Sequence, residues 1–293
     1  MARFHPPATD DDCGSLLVTL TPMSPVPETN QYALGSDAAE HERLIRQAAW
    51  LAPHTERFFR GAGMSRGQRV LDLGSGVGDV AIIAAGIVGS TGEVVGAERD
   101  PRAVVRATAR TWEMGLSQVH FTQVDIADLP PDRPFDGIVG RYILMFLGDP
   151  VAALRAASRL VRSGGFLAFQ EPCWKDFLSA CEALPLWRAA ADLMVQTFER
   201  TGTNTRMGPE LAAAFVRAGL PTPQSRTDRL EGAERWMPDT IRSLAPQMRA
   251  LGLPIDSLGD LETLYQRLLD EVASQGRSAP LPSMVGTWAH KPT

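Results

Sequence analysis

Residues 70–79 read Val-Leu-Asp-Leu-Gly-Ser-Gly-Val-Gly-Asp, an apolar run broken only by Asp72 and followed by three glycines spaced two apart. The apolar run predicts a buried strand, and the glycines predict a tight turn, because glycine adopts positive φ and lets a ligand approach the backbone. The apolar residues of 80–88 then predict a helix. Since the first N–H groups of a helix have no partner within it, this turn is suited to an anionic or polar ligand.

A second strand and a second helix are predicted after the first helix. The run 92–98 ends in Glu98, about twenty residues after the glycines, where dinucleotide-binding sheets place a carboxylate that binds ribose hydroxyls. Pro101 suits the first position of the next helix, and Asp100 suits its N-cap. The segment therefore predicts a nucleoside ligand held between the first two strands.

Three further strands are predicted over residues 119–126, 135–140 and 166–170. The alternation of strands with helices predicts a parallel sheet with right-handed crossovers. Ligands of such sheets bind where the carboxyl ends of the strands meet. That edge would bring together residues distant in sequence, namely Gly74, Glu98, Asp125, Arg141 and Glu171.

The order of these motifs resembles that of the class I S-adenosylmethionine-dependent methyltransferases. The pattern Asp-x-Gly-x-Gly-x-Gly over 72–78 is similar to the first motif of that family, and Val-Arg-Ser-Gly-Gly over 161–165 is similar to its Leu-x-Pro-Gly-Gly turn. A nicotinamide dehydrogenase would carry its third glycine one residue later. The resemblance implies an α/β fold with a doubly wound, Rossmann-like seven-stranded sheet, and S-adenosyl-L-methionine as cofactor.

The resemblance also implies which residues bind that cofactor. The carboxylate of Asp125 would accept from the adenine amino group, and the backbone N–H beside it, at Ile126, would meet the ring. Structural roles stay open for Asp72 as a turn cap, for Asp125 as a turn former and for Arg99 as a peripheral residue. The predicted set is Asp72, Gly74, Ser75, Gly76, Gly78, Glu98, Arg99, Asp125, Ile126 and Arg141.

Glu171 is the candidate catalytic residue. It ends an apolar strand, where burial would raise the pKa of its carboxyl group toward values useful for proton transfer. It is predicted to act as a general base or as a substrate ligand, and an ion pair with Arg141 is the structural alternative. Tyr32, Tyr142 and Trp174 are the candidate substrate contacts.

Four segments are predicted along the chain. A mobile N-terminal segment, or a flap that orders with ligand, precedes two helices that roof the cofactor and are separated by Pro53. The first of these helices places Glu40 and Arg43 on its polar face, opposite its apolar residues. After the cofactor-binding core, helical insertions build a cap that closes over a small molecule. The ranges are 1–30, 31–66, 67–172 and 173–293, with insertions at about 173–204 and 235–276.

Composition narrows the classes of partner. The net charge of −5 over 293 residues offers no broad basic surface for nucleic acid. The Asn/Asp-Pro-Pro-Tyr tetrad of enzymes that methylate nucleic-acid amino groups is also missing after the fourth strand, where Gly-Arg-Tyr-Ile stands at 140–143. Three scattered cysteines indicate reduced thiols in a cytoplasmic protein, and no apolar stretch approaches the ~20 residues that span a membrane. No metal-ligand spacing is present, and a homodimer stays open.

These observations predict an enzyme that transfers a methyl group to an oxygen, nitrogen or carbon atom of a small hydrophobic metabolite, as in secondary metabolism. The reaction would be an in-line displacement, which gains from alignment and from exclusion of water. A general base is needed only where the attacking atom carries a proton. A non-catalytic or repurposed protein that binds the same cofactor is the alternative.

Overall fold

The computed structural model describes residues 38–125, 128, 133–231 and 234–293. Contacts divide the chain into Met1–Asn30 and Gln31–Thr293, and the described residues all belong to the second unit. The predicted N-terminal segment 1–30, Tyr32 and Ile126 lie outside the described residues.

Within the described residues, seven strands form one sheet in the order β3-β2-β1-β4-β5-β7-β6. Strands β1 to β5 are parallel to their neighbours within that group, and β7 is antiparallel to both β5 and β6. This is the doubly wound, Rossmann-like sheet that the sequence predicts. The strands are β1 Arg69–Leu73, β2 Glu93–Glu98, β3 Val119–Gln123, β4 Phe135–Arg141, β5 Val161–Cys173, β6 Gln224–Asp228 and β7 Ser283–His290.

Helices cover both faces of this sheet. The α-helices are α1 Ala38–Gly61, α2 Asp79–Val88, α3 Pro101–Glu113, α4 Pro150–Leu160, α5 Trp174–Cys181, α6 Pro185–Arg200, α7 Met207–Arg217, α8 Trp236–Ala250 and α9 Leu264–Ser274. Short 3-10 helices span Leu144–Phe146 and Ile255–Leu258. The part of the chain described here contains no helix long and apolar enough to cross a membrane.

The strand order reverses between β1 and β4, which pair side by side with Asp72 opposite Val139. From β1 the chain proceeds outward to β2 and β3, and from β4 it proceeds the other way to β5. The connections after β1 and β4 therefore diverge and leave a crevice at the carboxyl edge. This crevice is the expected ligand site of the fold.

Helix α1 departs from the sequence prediction in two ways. It runs unbroken through Pro53, because buried Leu51 and Phe58 on either side of the proline anchor it and outweigh the roughly 3 kcal/mol cost of an interior proline. Its supposed polar face is also partly buried, since Glu40 and Arg43 form an ion pair at 2.6 Å and are 2% and 5% exposed. Pairing is what permits two charges to be buried there.

The stretches predicted as insertions form helices α5, α6, α8 and α9. The helices α5, α6 and α8 meet in an aromatic cluster in which ring centroids lie 5.3–6.2 Å apart. We define the aromatic cluster as Trp174, Phe177, Phe198 and Trp236. Since Trp174 directly follows β5, the cluster begins at the carboxyl edge of the sheet.

Candidate active site

The glycine-rich turn after β1 has one open face. Gly74, Gly76 and Gly78 all have positive φ, of 65°, 51° and 87°. A Cβ atom at Gly74 would lie 2.3 Å from Ile143 Cδ1, and one at Gly78 would lie 2.9 Å from Phe121 Cζ, whereas one at Gly76 would meet no atom within 4 Å. Gly74 and Gly78 therefore permit the turn to pack, and Gly76 leaves backbone accessible to a ligand.

Glu98, at the end of β2, reaches this turn. Its carboxylate accepts hydrogen bonds from the backbone N–H groups of Gly76 at 2.9 Å, Arg99 at 2.8 Å and Asp100 at 2.9 Å. A carboxylate offers about four acceptor sites, so one remains for a ligand. Ser75 lies in the same turn, and its buried Oγ atom has no hydrogen-bond partner in the described structure.

Asp72 lies beneath the turn and is 1% exposed. Neither of its carboxylate oxygens has a hydrogen-bond partner in the described structure. Burial raises the pKa of Asp72 well above its ordinary value, and the nearby positive charge of Arg141 opposes that rise only in part. A buried carboxylate without a partner is costly, so this group fits a ligand that brings a positive charge or a hydrogen-bond donor.

Arg141 and Gln170 continue this polar surface on the next two strands. Arg141, at the end of β4, donates to Thr55 Oγ1 of α1 at 2.9 Å, and burial lowers the pKa of its guanidinium. Gln170 pairs with Arg141 in the β4–β5 register. It is 0% exposed, and neither its Oε1 nor its Nε2 atom has a partner in the described structure.

The strand registers show that these side chains share a face of the sheet. Asp72 pairs with Val139, Arg141 lies two residues further along the same strand, and Gln170 pairs with Arg141. Paired residues and alternate residues of a strand share a face. Asp72, Arg141 and Gln170, together with Thr55, which accepts from Arg141, therefore form one set of polar groups. We call this set the polar strip.

Sequence reasoning missed two members of the polar strip. A signal for Gln170 existed, because a polar residue inside an apolar strand, directly before Glu171, is unusual for a core position. Thr55 gave no comparable signal, since it lies on a helix whose contacts depend on the tertiary fold.

Glu171 lies on the opposite face from Gln170. Its Oε1 atom accepts from the backbone N–H of Ile143 at 3.1 Å and of Leu144 at 2.7 Å, while Oε2 has no hydrogen-bond partner in the described structure. Burial raises the pKa of Glu171 to about 8, although the backbone donors oppose the rise. The register pairs Arg141 with Gln170 rather than with Glu171, so the geometry does not favour the alternative of an ion pair between Glu171 and Arg141.

Tyr142 is the one non-glycine residue with positive φ in the described ranges, at 57°. Such a backbone costs energy and is typical of functional segments. Its N–H donates to the carbonyl oxygen of Gln170 at 2.9 Å, and its ring packs against a group of buried apolar residues that contains Leu51 and Met284. Burial raises the pKa of its hydroxyl group. Its contact with substrate stays a prediction.

The remaining predicted residues lie outside the glycine-rich turn and the polar strip. Trp174 is buried in the aromatic cluster, and its Nε1 atom has no partner in the described structure. The side chains of Arg99 and Asp125 are exposed, and their contacts with cofactor stay predictions. In the described part of the chain no three His, Cys, Asp or Glu side chains are grouped to hold a metal ion.

Comparison with known proteins shows the family to which the chain belongs. A family model described as a methyltransferase domain matches residues 64–214, which is just over half of the 293 residues. The chain belongs to the class I S-adenosylmethionine-dependent methyltransferases. The glycine-rich turn of the methyltransferase lies within the matched region, and so do all members of the polar strip except Thr55. The predicted family and cofactor are thereby confirmed.

Two curated relatives match part of the methyltransferase. An aklanonic acid methyltransferase from Streptomyces sp. (strain C5) is 37% identical over 111 residues, which are 37% of this chain and 50% of that protein. A ubiquinone/menaquinone biosynthesis C-methyltransferase from Pseudomonas putida is 29% identical over 172 residues, which are 54% of this chain and 67% of that protein. The methyltransferase thus spans from half to two thirds of the length of these relatives.

A solved structure covers more of the chain. Geranyl diphosphate C-methyltransferase from Streptomyces coelicolor A3(2), in complex with Mg²⁺, geranyl diphosphate and S-adenosyl-L-homocysteine, has a TM-score of 0.53 and 15% sequence identity. The match covers 89% of this chain and 88% of that chain. At such low identity the match shows the shared fold alone.

Proposed function

We propose that this methyltransferase methylates an oxygen, nitrogen or carbon atom of a small hydrophobic metabolite. The observation that carries the proposal is the aromatic cluster, which begins at the carboxyl edge of the sheet and joins both helical stretches after β5. Aromatic rings favour apolar and planar partners. The names of the two relatives, which refer to aklanonic acid and to quinone biosynthesis, support a substrate of this class.

Bound S-adenosyl-L-methionine supplies a methyl group made electrophilic by the positive charge on sulfur. The polar strip fits the amino-acid end of that molecule, since Asp72 would accept from its ammonium group and Arg141 and Gln170 would donate to its carboxylate. The remaining acceptor site of Glu98 would take one ribose hydroxyl.

We further propose that the helices α5, α6, α8 and α9 form a cap over the substrate. A cap of this kind excludes water and holds the attacking atom in line with the methyl carbon. Proximity and orientation supply on the order of 7–11 kcal/mol in well-aligned reactions. Alignment would therefore be the main contribution of this chain to the rate.

Glu171 is proposed to contact the substrate through Oε2, the oxygen that has no partner in the described structure. Where the attacking atom is an O–H or N–H group, Oε2 would accept its proton. A pKa of about 8 means that the ionised, proton-accepting form becomes predominant only above that pH. The rate of such a reaction should therefore rise as the pH approaches 8, typically with a contribution of ~10²–10⁴-fold from the base.

The proposal can be tested with purified protein, S-adenosyl-L-methionine and a panel of candidate acceptors. The panel should contain polycyclic phenols, quinone precursors and isoprenoids, with polar amines, sugars and oligonucleotides as the contrasting set. We expect S-adenosyl-L-homocysteine and methylated product in equal amounts from members of the hydrophobic set. Turnover confined to the polar set would contradict the substrate class, and saturable cofactor binding without turnover of any acceptor would favour a repurposed cofactor-binding protein.

A further inference from the structure

The carboxylate of Glu171 holds the start of the segment that follows β4. Its Oε1 atom accepts from Ile143 N at 3.1 Å and from Leu144 N at 2.7 Å. These are the N–H groups at the beginning of the 3-10 helix Leu144–Phe146, which have no carbonyl partner within that helix. The side chain of Glu171 is 0% exposed, so water does not compete for these two donors.

The segment needs such restraint because it leaves β4 through a strained residue. Tyr142 adopts φ of 57°, a region that non-glycine residues occupy only when their surroundings hold them there. Its own N–H donates to the carbonyl oxygen of Gln170, and the next two N–H groups donate to Glu171. Two consecutive residues of β5 therefore hold the backbone on both sides of the strained position.

The held segment also contacts the cofactor site. The side chain of Ile143 packs so closely on Gly74 that a Cβ atom there would lie 2.3 Å from Cδ1. Ile143 also packs on Gly140, at 2.8 Å from an added Cβ. Arg141, two residues before Ile143, belongs to the polar strip. A shift of the segment would therefore move Ile143, which packs on the glycine-rich turn, and also Arg141, which belongs to the polar strip.

We propose that Glu171 is a positioning residue for the cofactor site, because its Oε1 atom fixes residues 141–144 against the glycine-rich turn. The inference rests on the cofactor site proposed above. It is separate from the proton-accepting role proposed for Oε2, since it uses the other oxygen of the same carboxylate. It assigns to Glu171 an effect on cofactor affinity that a general base acting on substrate would not have.

The test compares Glu171→Gln with Glu171→Leu by calorimetric titration with S-adenosyl-L-homocysteine, which requires no knowledge of the substrate. Glutamine keeps an oxygen at the position of Oε1, so its dissociation constant should stay within about threefold of the wild-type value. Leucine leaves two buried N–H groups unpartnered, so its dissociation constant should rise about tenfold to a hundredfold.

Glu271 provides a matched control. Its carboxylate accepts from the backbone N–H groups of Leu186 at 2.8 Å and Trp187 at 3.0 Å, at the start of α6. Glu271→Leu therefore removes the same kind of contact at a position that does not touch the glycine-rich turn. This variant should be less stable to heat than the wild type and should bind S-adenosyl-L-homocysteine with wild-type affinity.

Several results would overturn the inference. Wild-type affinity for S-adenosyl-L-homocysteine in Glu171→Leu would contradict it. An equal loss of affinity in Glu171→Gln would also contradict it, as would an equal loss in Glu271→Leu. If Glu171→Leu does not fold, Ile143→Ala serves instead, and it should weaken binding at least threefold through lost packing on Gly74; unchanged affinity would contradict the proposal. Failure of the wild-type protein to bind would instead contradict the proposed cofactor site.

Discussion

Gly76→Ala should abolish most cofactor affinity at a small cost in stability. In the free protein the added Cβ atom meets nothing within 4 Å, so the cost comes from the backbone alone. At φ of 51° that cost is roughly 1–2 kcal/mol for a residue other than glycine. For 293 residues the melting temperature should fall by about 2–3 °C.

The effect on binding should be larger, because the methyl group occupies the open face of the glycine-rich turn. Loss of close approach there should raise the dissociation constant for S-adenosyl-L-homocysteine at least about tenfold, or ~1.4 kcal/mol. Calorimetric titration measures this constant, and a thermal melt of the same sample measures the stability. Both measurements are independent of the substrate.

Gly276 provides the matched control. It follows α9, has φ of 61°, and a Cβ atom there would also meet nothing within 4 Å. Gly276→Ala should therefore lower the melting temperature by a similar amount and leave cofactor affinity unchanged. Equal affinities in Gly76→Ala and Gly276→Ala would refute the assignment of the open face to the cofactor.

Three other variants test the polar groups of the site. Asp72→Asn should bind S-adenosyl-L-homocysteine about tenfold to a hundredfold more weakly because it loses a charge-assisted contact; calorimetry showing wild-type affinity would exclude Asp72 from the site. Glu98→Ala should weaken binding by ~1–3 kcal/mol, and an unchanged dissociation constant would remove it from the ribose contact. Glu171→Gln should gain stability relative to the wild type as the pH rises from 4.5 to about 8. The reason is that the folded wild type keeps the neutral carboxyl group while the unfolded chain ionises, so its free energy of unfolding falls by up to about 1.4 kcal/mol per pH unit in this window. Thermal melts at pH 5 and pH 8 measure the difference in stability between the variant and the wild type, and an equal difference at both pH values would contradict this prediction.

The sequence predicts those parts of the fold that depend on local signals. The second strand ends at Glu98 as expected, and the Asp100 side chain caps α3 by accepting from Arg102 N. The glycine spacing after β1 predicts the turn because positive φ at three alternate positions requires that residue type. In each case the determining residues lie within a few positions of one another.

Features that depend on tertiary contacts could not be predicted in this way. Gln170 joins the polar strip only because β5 pairs with β4, and Thr55 joins it only because α1 contacts Arg141. The strained backbone of Tyr142 has no composition signal. The break expected at Pro53 is absent because packing on both sides of it holds α1 together.

The most direct measurement is a crystal structure of the protein with S-adenosyl-L-homocysteine. We expect the amino-acid end of this molecule against Asp72 and Arg141, its ribose at Glu98, and its backbone-facing side in contact with Gly76. Electron density for the ligand elsewhere, or a glycine-rich turn covered by the protein's own side chains, would contradict the account.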